Sequence, residues 1–243
     1  MKLSTGKGSI PLYLQIIEFL ISRISNGEWK PGDVIPSEIN LARELDVSQG
    51  TVRKAITELV ESNVLTRRQG LGTFVSNHDI DRALFHFFHI SDNSGKKVLP
   101  DSEVVSCRRT KATKYEASRL ALQTGERVIK IKRIRKIGSS PTIIETIVLP
   151  EGPFKGLGTD EDCQLPNMLY ELYEKQYGIT IHSADERLRA ISATSQDAAS
   201  LGIEQGSPLL VIERVAMSLD KTPVELRISR CDTRGHYYQN TIF

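Results

Sequence analysis

Residues 36–60 read PSEINLARELDVSQGTVRKAITELV, and their spacing decides the fold of the first third of the chain. Leu41, Ala42 and Leu45 recur at helical intervals behind Ser37, and Val52, Ile56, Leu59 and Val60 do the same behind Ser48. Both serines are suited to cap a helix. Only a tight turn at Asp46-Val47 separates the two helices, so the segment predicts a helix-turn-helix. Spacing alone also fits an ordinary helical hairpin that binds nothing, and the flanks decide between the two. Upstream, Tyr13, Ile16, Ile17, Leu20, Ile21 and Ile24 lay one apolar stripe along a helix from Leu12 to Ser25, closed by Gly27. Lys30-Pro31-Gly32-Asp33 turns the chain into a short extended Val34-Ile35-Pro36. Downstream, Val64-Leu65-Thr66-Arg67-Arg68 and Thr73-Phe74-Val75 flank Gln69-Gly70-Leu71-Gly72, two short strands around a glycine-containing tip. Such a wing enters a minor groove where a bulky loop cannot, and its arginines suit phosphates or the negative groove potential.

Composition sets the frame for this reading. The chain has 243 residues, 39% hydrophobic and 26% charged, which describes soluble globular protein with room for two cores. A net charge of +2 is too small to announce a nucleic-acid binder by itself, so the case for DNA rests on local pattern. No stretch approaches the run of about 18 apolar residues that a membrane span needs, and residues 1–6 lack a signal-peptide core. The expected location is the cytoplasm, with no membrane partner. Cys107, Cys163 and Cys231 are odd in number and widely spaced, neither a disulfide framework nor a CxxC metal site, and read as reduced structural thiols.

From Pro36 to Val75 the chain resembles the GntR family of bacterial regulators. The carrying residues are Pro36-Ser37-Glu38, Leu41-Ala42, Leu45, Val47-Ser48, Thr51-Val52-Arg53, Ala55, Leu59, Gly70 and Gly72-Thr73-Phe74-Val75. The resemblance implies a third helix in the major groove and a wing at the minor groove of operator DNA. It assigns DNA contacts to Ser37, Glu38, Ser48, Gln49, Thr51, Arg53, Arg67, Gln69, Gly70, Gly72 and Thr73. Two positions depart from the family pattern: Ile39 and Gln49 stand where arginines are common. Arginine prefers guanine O6 and N7, whereas glutamine pairs best with adenine N6 and N7. The operator is therefore expected to differ at the base facing Gln49, unless Gln49 makes only a phosphate contact.

The expected organisation is a DNA-binding domain at residues 1–76, a linker at 77–84 and a second domain at 85–243. The linker falls in Ser76 to Arg82, polar and without period. Phe85 to Ile90 reads as the first strand of the second domain, with His86 and His89 as strand-edge histidines, since no third ligand joins them at a metal spacing. Neither a metal nor a cofactor is expected.

An internal repeat organises the rest. At the offset that takes Ala117 to Ala198, Leu120 meets Leu201, Gly125 meets Gly206 and Arg133 meets Arg214, and Val128, Ile129, Ile131 and Ile134 meet Leu209, Leu210, Ile212 and Val215. Each copy reads as helix, glycine turn, strand, short turn, strand. Two such copies imply one sheet with pseudo-two-fold organisation and a cleft where the halves meet. A period of two sets Ile129, Ile131, Arg133 and Arg135 on the inward face, and Lys130, Lys132 and Lys136 toward solvent. Inward arginines need a carboxylate or a ligand anion. Arg133 has a counterpart in Arg214, but Arg135 faces Ala216 in the other copy, so Arg135 is the residue with a function peculiar to one half. Glu145 shares a face with Ile143 and Ile147, placed to bind a ligand or to neutralise an arginine. Glu225 and Arg227 join the candidates by their repeat relation to Glu145.

This half resembles the UTRA effector domain of the HutC branch of the same family, through Arg133-Ile134-Arg135, Pro141, Glu145, Leu149-Pro150, Leu169-Tyr170-Glu171-Leu172 and residues 202–213. The resemblance implies an α+β fold related to chorismate lyase, an antiparallel sheet covered by helices, with the arginine pair and Tyr170 binding an anionic effector. Met168 stands where a small hydroxyl residue is common, and Asp232-Thr233-Arg234-Gly235-His236 replaces the usual Tyr-Arg-Gly-Asp. A carboxylate therefore competes with a sugar phosphate as effector. The whole reads as a homodimeric regulator, a repressor by family habit, on pseudo-palindromic double-stranded operator DNA. The rival readings are retained lyase-like chemistry on a small carboxylate and a non-DNA adaptor. Against the first, the sequence holds no nucleophile elbow, no spaced Cys-His pair, no metal constellation and no phosphate-binding glycine loop.

Overall fold

The computed structural model describes residues 10–62, 64–76, 89–93, 100–158 and 163–240. The chain divides into two compact units, Met1–His78 and Asp79–Phe243. The linker and the stretch Phe85 to Phe88, with His86, lie outside the described residues. Among the described residues no helix is long and apolar enough to cross a membrane.

The first unit contains α1 (Leu12–Ser25), α2 (Glu38–Leu45), α3 (Gln49–Glu61), β1 (Leu65–Arg68) and β2 (Gly72–Val75). The Ser37 hydroxyl accepts from Asn40 N and that of Ser48 from Thr51 N, each at 3.2 Å, so both predicted caps form. Asp46 takes a left-handed conformation (φ 53°, ψ 50°) at the end of α2, which makes the turn tight enough to bring α3 across it. Ile16, Leu20, Leu41, Val52, Ala55 and Ile56 are fully buried between the three helices. At about 1.5–3 kcal/mol for each large apolar side chain buried, this core holds the motif together. β1 and β2 pair antiparallel with Arg68 opposite Gly72, and Val34 bridges to Phe74 as an extra extended segment. Gly72 has φ +119°, and a Cβ there would press on Val34 at 3.3 Å, so glycine is required at the base of the wing tip.

The second unit carries β3 (Ile90–Asp92), β4 (Asp101–Lys111), α4 (Lys114–Arg119), β5 (Arg127–Ile137), β6 (Ser140–Pro150), α5 (Leu169–Tyr177), β7 (Ile181–Ser192), α6 (Ser195–Leu201), β8 (Pro208–Ser218), β9 (Pro223–Asp232) and β10 (His236–Tyr238). Six strands form one antiparallel sheet in the order β4-β5-β6-β9-β8-β7, and β10 pairs with β3 separately. The repeat is visible in that order: β4-α4-β5-β6 and β7-α6-β8-β9 meet along the β6–β9 seam. Each copy thus begins with a strand that sequence similarity does not reveal. The equivalence extends to the caps, where Thr113 with Glu116 and Thr194 with Asp197 form reciprocal capping boxes. Gly125 and Gly206 turn the chain at φ +89° and +87°.

Both faces of the sheet are covered. On one, α4 and α6 bury Ala117, Leu120, Val128, Val148, Val215 and Leu226, and Ile144, Ala193, Leu201 and Leu209. This limits the reading of the lysine face as solvent: Lys132 is exposed, but Val128 on the same face is fully buried, and Lys130 pairs with Glu116 of α4 at 2.7 Å. On the other face, α5 and residues Phe154 and Leu157 cover Ile129, Ile131, Ile147 and Ala216, while β3 and Tyr238 cover Ile143, Ile212 and Cys231. A cavity lies on this face, with walls from both coverings.

Candidate functional site

In the first unit Glu38 gathers residues that are distant in sequence. Its Oε2 accepts from Arg53 Nε at 2.9 Å and from Gln49 Nε2 at 3.4 Å, and its Oε1 from Arg67 Nη2 at 3.2 Å. Arg67 Nη2 also donates to Thr57 Oγ1 at 3.2 Å. Four of the residues proposed for DNA contact, on α2, α3 and the wing, therefore form one exposed polar cluster. Ser37 and Ser48 are engaged as caps, with Ser48 Oγ also 2.8 Å from Thr51 Oγ1. Gln69 and Gly70 are exposed at the wing tip, and Thr73 pairs with Arg67 across the hairpin. Ile39 is 55% exposed and Leu71 69%, apolar groups presented outward beside the cluster and at the tip. Leu71 is not singled out by sequence, because a tip leucine carries no polar signal.

In the second unit the cavity is walled by Arg135, Ile143, Glu145, Ile212, Arg214, Arg227, Ser229 and Cys231 from the sheet, by Asn167, Met168, Leu169 and Tyr170 at the start of α5, and by His89, Ile90 and Tyr238. Of the predicted effector residues, Arg135, Glu145, Tyr170 and Arg227 line it, whereas Arg133 and Glu225 stand behind the wall. Arg133 is fully buried and donates from Nε and Nη2 to Glu145 Oε2 at 3.0 and 2.6 Å. The other oxygen of Glu145 has Arg135 Nη1 at 3.6 Å and Arg227 Nη1 at 3.5 Å. Arg135 Nη2 further donates to Pro100 O at 3.1 Å. Glu225 accepts a fork from Arg227 at 2.9 and 2.8 Å and the hydroxyls of Tyr170 and Tyr173 at 3.0 and 2.8 Å. Arg214 Nε and Tyr238 Oη each donate to Glu186 at 2.6 Å.

Strand register explains the assignments. Arg133 lies opposite Glu145, and Arg214 opposite Arg227, so the repeat counterpart of Glu145 is Arg227 rather than Glu225. Where one copy has a neutral pair the other has two arginines at the cavity wall, each with a carboxylate of its own, Arg214 with Glu186 and Arg227 with Glu225. Arg214 is therefore part of the wall and more than a structural echo of Arg133. His89 is likewise corrected from a strand edge to the cavity, with its ring 5.2 Å from that of Tyr238.

The electrostatics are those of binding. Burial alone pushes the Glu145 carboxyl upward, but Arg133, Arg227 and Arg135 outweigh it and hold the group well below the usual carboxylate range. A carboxylate so firmly ionised is no general acid. Burial lowers Arg135 to about 10, opposed by Glu145 and assisted by Arg133 and Arg227. Burial and Glu225 raise Tyr170 to about 12. Among the described residues no group of three or more His, Cys, Asp or Glu is arranged to hold a metal ion.

Comparison with known proteins agrees with this architecture. Residues 12–75 match the model for bacterial regulatory proteins of the gntR family, and residues 95–236 match the UTRA domain. The chain is 31% identical to the HTH-type transcriptional repressor NagR of Bacillus subtilis, over 89% of this chain and 88% of that one. It is 29% identical to the mannosyl-D-glycerate transport/metabolism system repressor MngR of Escherichia coli, over 84% of each. The ligand-binding domain of a GntR-family regulator from Bordetella bronchiseptica superposes with TM-score 0.60 at 31% identity, covering 65% of this chain and 99% of that one. The regulator YydK from Bacillus subtilis shares the fold over 95% of this chain and 99% of its own, with TM-score 0.57 at 20% identity. The chain belongs to the GntR family of bacterial regulatory proteins, with a UTRA domain as its second unit, and is a DNA-binding transcription regulator rather than an enzyme.

Proposed function

We propose that the chain is a homodimeric repressor that releases its operator when a small anionic metabolite enters the cavity of the second unit. The observation that carries this reading is charge. Around the cavity Arg133, Arg135, Arg214 and Arg227 face Glu145, Glu186 and Glu225, and all but Glu186 are at most 8% exposed. Four guanidiniums against three carboxylates leave one positive charge in excess, which a bound anion neutralises. The first turn of α5 forms part of the same wall, and no side chain caps it, so its amides are suited to the same anion. Arg135, Arg214, Arg227, Tyr170 and Ser229 would hold the anionic group, and Ile90, Ile143 and Ile212 the apolar remainder. A sugar phosphate and a carboxylate both satisfy this chemistry.

On the DNA side, two copies of α3 would read half-sites about one helical turn apart. Gln49, Thr51, Arg53 and Arg67 supply the contacts, with Ser37, Glu38, Ser48, Gln69, Gly70, Gly72 and Thr73 shaping the surface. Work of this kind places the protein in the cytoplasm. Effector binding need only favour one arrangement of the dimer, at about 1.4 kcal/mol of coupling for each tenfold change in operator affinity. The test is a thermal-shift screen with sugar phosphates, amino-acid catabolites and carboxylates, repeated on Arg135→Ala and followed by operator binding with each hit. A hit whose shift survives Arg135→Ala refutes the anion site. A hit that leaves operator affinity unchanged refutes the coupling.

A further inference from the structure

We propose that Cys107 and Cys163 are an oxidation site, a pair of thiols that closes to a disulfide when a hydroperoxide reaches it and ties the segment leading into α5 to strand β4. The reading is independent of the proposed effector. Widely spaced in sequence, the two cysteines meet through the fold. A β-bulge between Val104 and Ser106 shifts the alternation of β4 by one residue. Cys107 thereby joins Ser102 and Val104 on the face that carries α5, where they share a groove with Cys163, Gln164 and Leu165.

The two sulfurs converge beside Gly158. This residue has φ +64°; a Cβ there would collide with Cys107 Sγ and lie 3.4 Å from Cys163 Sγ. A residue with no side chain is what admits both sulfurs to the same space. Burial and a hydrogen bond with Cys163 raise the Cys107 thiol to about 12, so Cys107 keeps its proton and Cys163 is the sulfur that attacks the oxidant first. Both thiols are free and partly exposed, while Cys231 is buried.

The chemistry balances with a hydroperoxide as the two-electron oxidant. Cys163 sulfur attacks the peroxide, the O–O bond breaks, and the products are Cys163 sulfenic acid and an alcohol or water. Cys107 sulfur then displaces the sulfenyl oxygen as water, its own proton leaving with that water, and the S–S bond forms. Asn167 and Met168, a few residues beyond Cys163, line the anion cavity, so the cross-link restrains one of its walls.

The experiment treats reduced full-length protein with one equivalent of hydrogen peroxide, alkylates the remaining thiols and maps the digest without reductant. The expected result is a peptide pair joined through Cys107 and Cys163, with two of the three thiols lost, Cys231 alkylated and dithiothreitol restoring all three. In Cys163→Ser, Cys107 is expected to stay reduced. Chain-to-chain disulfides, separate sulfinic acids at the two positions, thiol loss led by Cys231, or three thiols surviving excess peroxide would each overturn the proposal.

Discussion

The Glu38 carboxylate holds the Arg53 guanidinium at 2.9 Å, tying the start of α2 to an exposed position on α3, and its second oxygen holds Arg67 of the wing at 3.2 Å. This places a negative charge among groups proposed to face phosphates. In Glu38→Gln the arginines lose their tether and the surface loses a repulsive charge. Affinity for scrambled duplex should rise, and the log–log salt slope should steepen by about one. Preference for operator over scrambled DNA should fall. Exposed pairs contribute only about 0–1 kcal/mol to stability, so the melting temperature should barely move. Fluorescence anisotropy across a salt series checks this, and unchanged non-specific affinity would refute it.

Gln49 is exposed at the first position of α3, where its carboxamide is held toward Glu38 at 3.4 Å. Selection of operators from a randomised duplex pool should give adenine at the base it faces, and Gln49→Arg should shift that preference to guanine, a change worth about 1–3 kcal/mol per bidentate pair. A guanine preference in the parent protein, lost in Gln49→Ala, would count against adenine readout.

Much of this molecule is legible in its sequence because its signals are local. Ser37 and Ser48 announce their helices, Gly70 and Gly72 announce the wing, and the offset between Ala117 and Ala198 announces a two-fold sheet. Arg135 and Glu145 are legible for a different reason, since charge inside an apolar stripe demands a partner. What stays hidden depends on register and bulges. The equivalence of Glu145 with Arg227 needs the pairings Arg133–Glu145 and Arg214–Arg227. Cys107 faces Cys163 only because β4 carries an extra residue. Ser229 and Tyr238, and His89 just before β3, reach the cavity from segments whose neighbours no periodicity specifies.

Arg133 and Arg135 are two residues apart on β5 yet should fail in opposite ways. Arg133 is fully buried and forks onto Glu145, so Arg133→Ala leaves a buried carboxylate short of its main partner and should cost about 3–5 kcal/mol. Arg135 lines the cavity, and its loss leaves the Arg133–Glu145 fork intact. Arg135→Ala should cost less than about 3 kcal/mol while abolishing the ligand-induced thermal shift. Urea unfolding with and without the anion separates the two. The reverse pattern would mean that Arg133 is the ligand-facing residue.

Acid should unfold the second unit through its buried carboxylates. Burial pushes Glu145 and Glu186 upward, but Glu145 is held below 4.5 by Arg133, Arg227 and Arg135, and Glu186 by Arg214 and Tyr238. In the unfolded chain the same groups take up protons near 4.5, so below that pH the unfolded state binds more protons and stability falls with pH. The contribution is complete above the unfolded value and is lost as pH drops through the folded one. Stability should therefore stay nearly flat from about pH 8 to about pH 5.5, then decline by at most about 1.4 kcal/mol per pH unit for each group. Six of the seven tyrosines lie beyond residue 78, so near-ultraviolet dichroism of tyrosine follows mainly this unit. Glu116, Asp220 and Asp232 are also held below their usual range and add to the slope, so the parent curve alone does not isolate one carboxylate. Comparison with Glu145→Gln does. That variant should be weaker at neutral pH, because Arg133 loses its buried partner, and its acid slope should be shallower by one group. An acid slope equal to the parent's would remove Glu145 from the account.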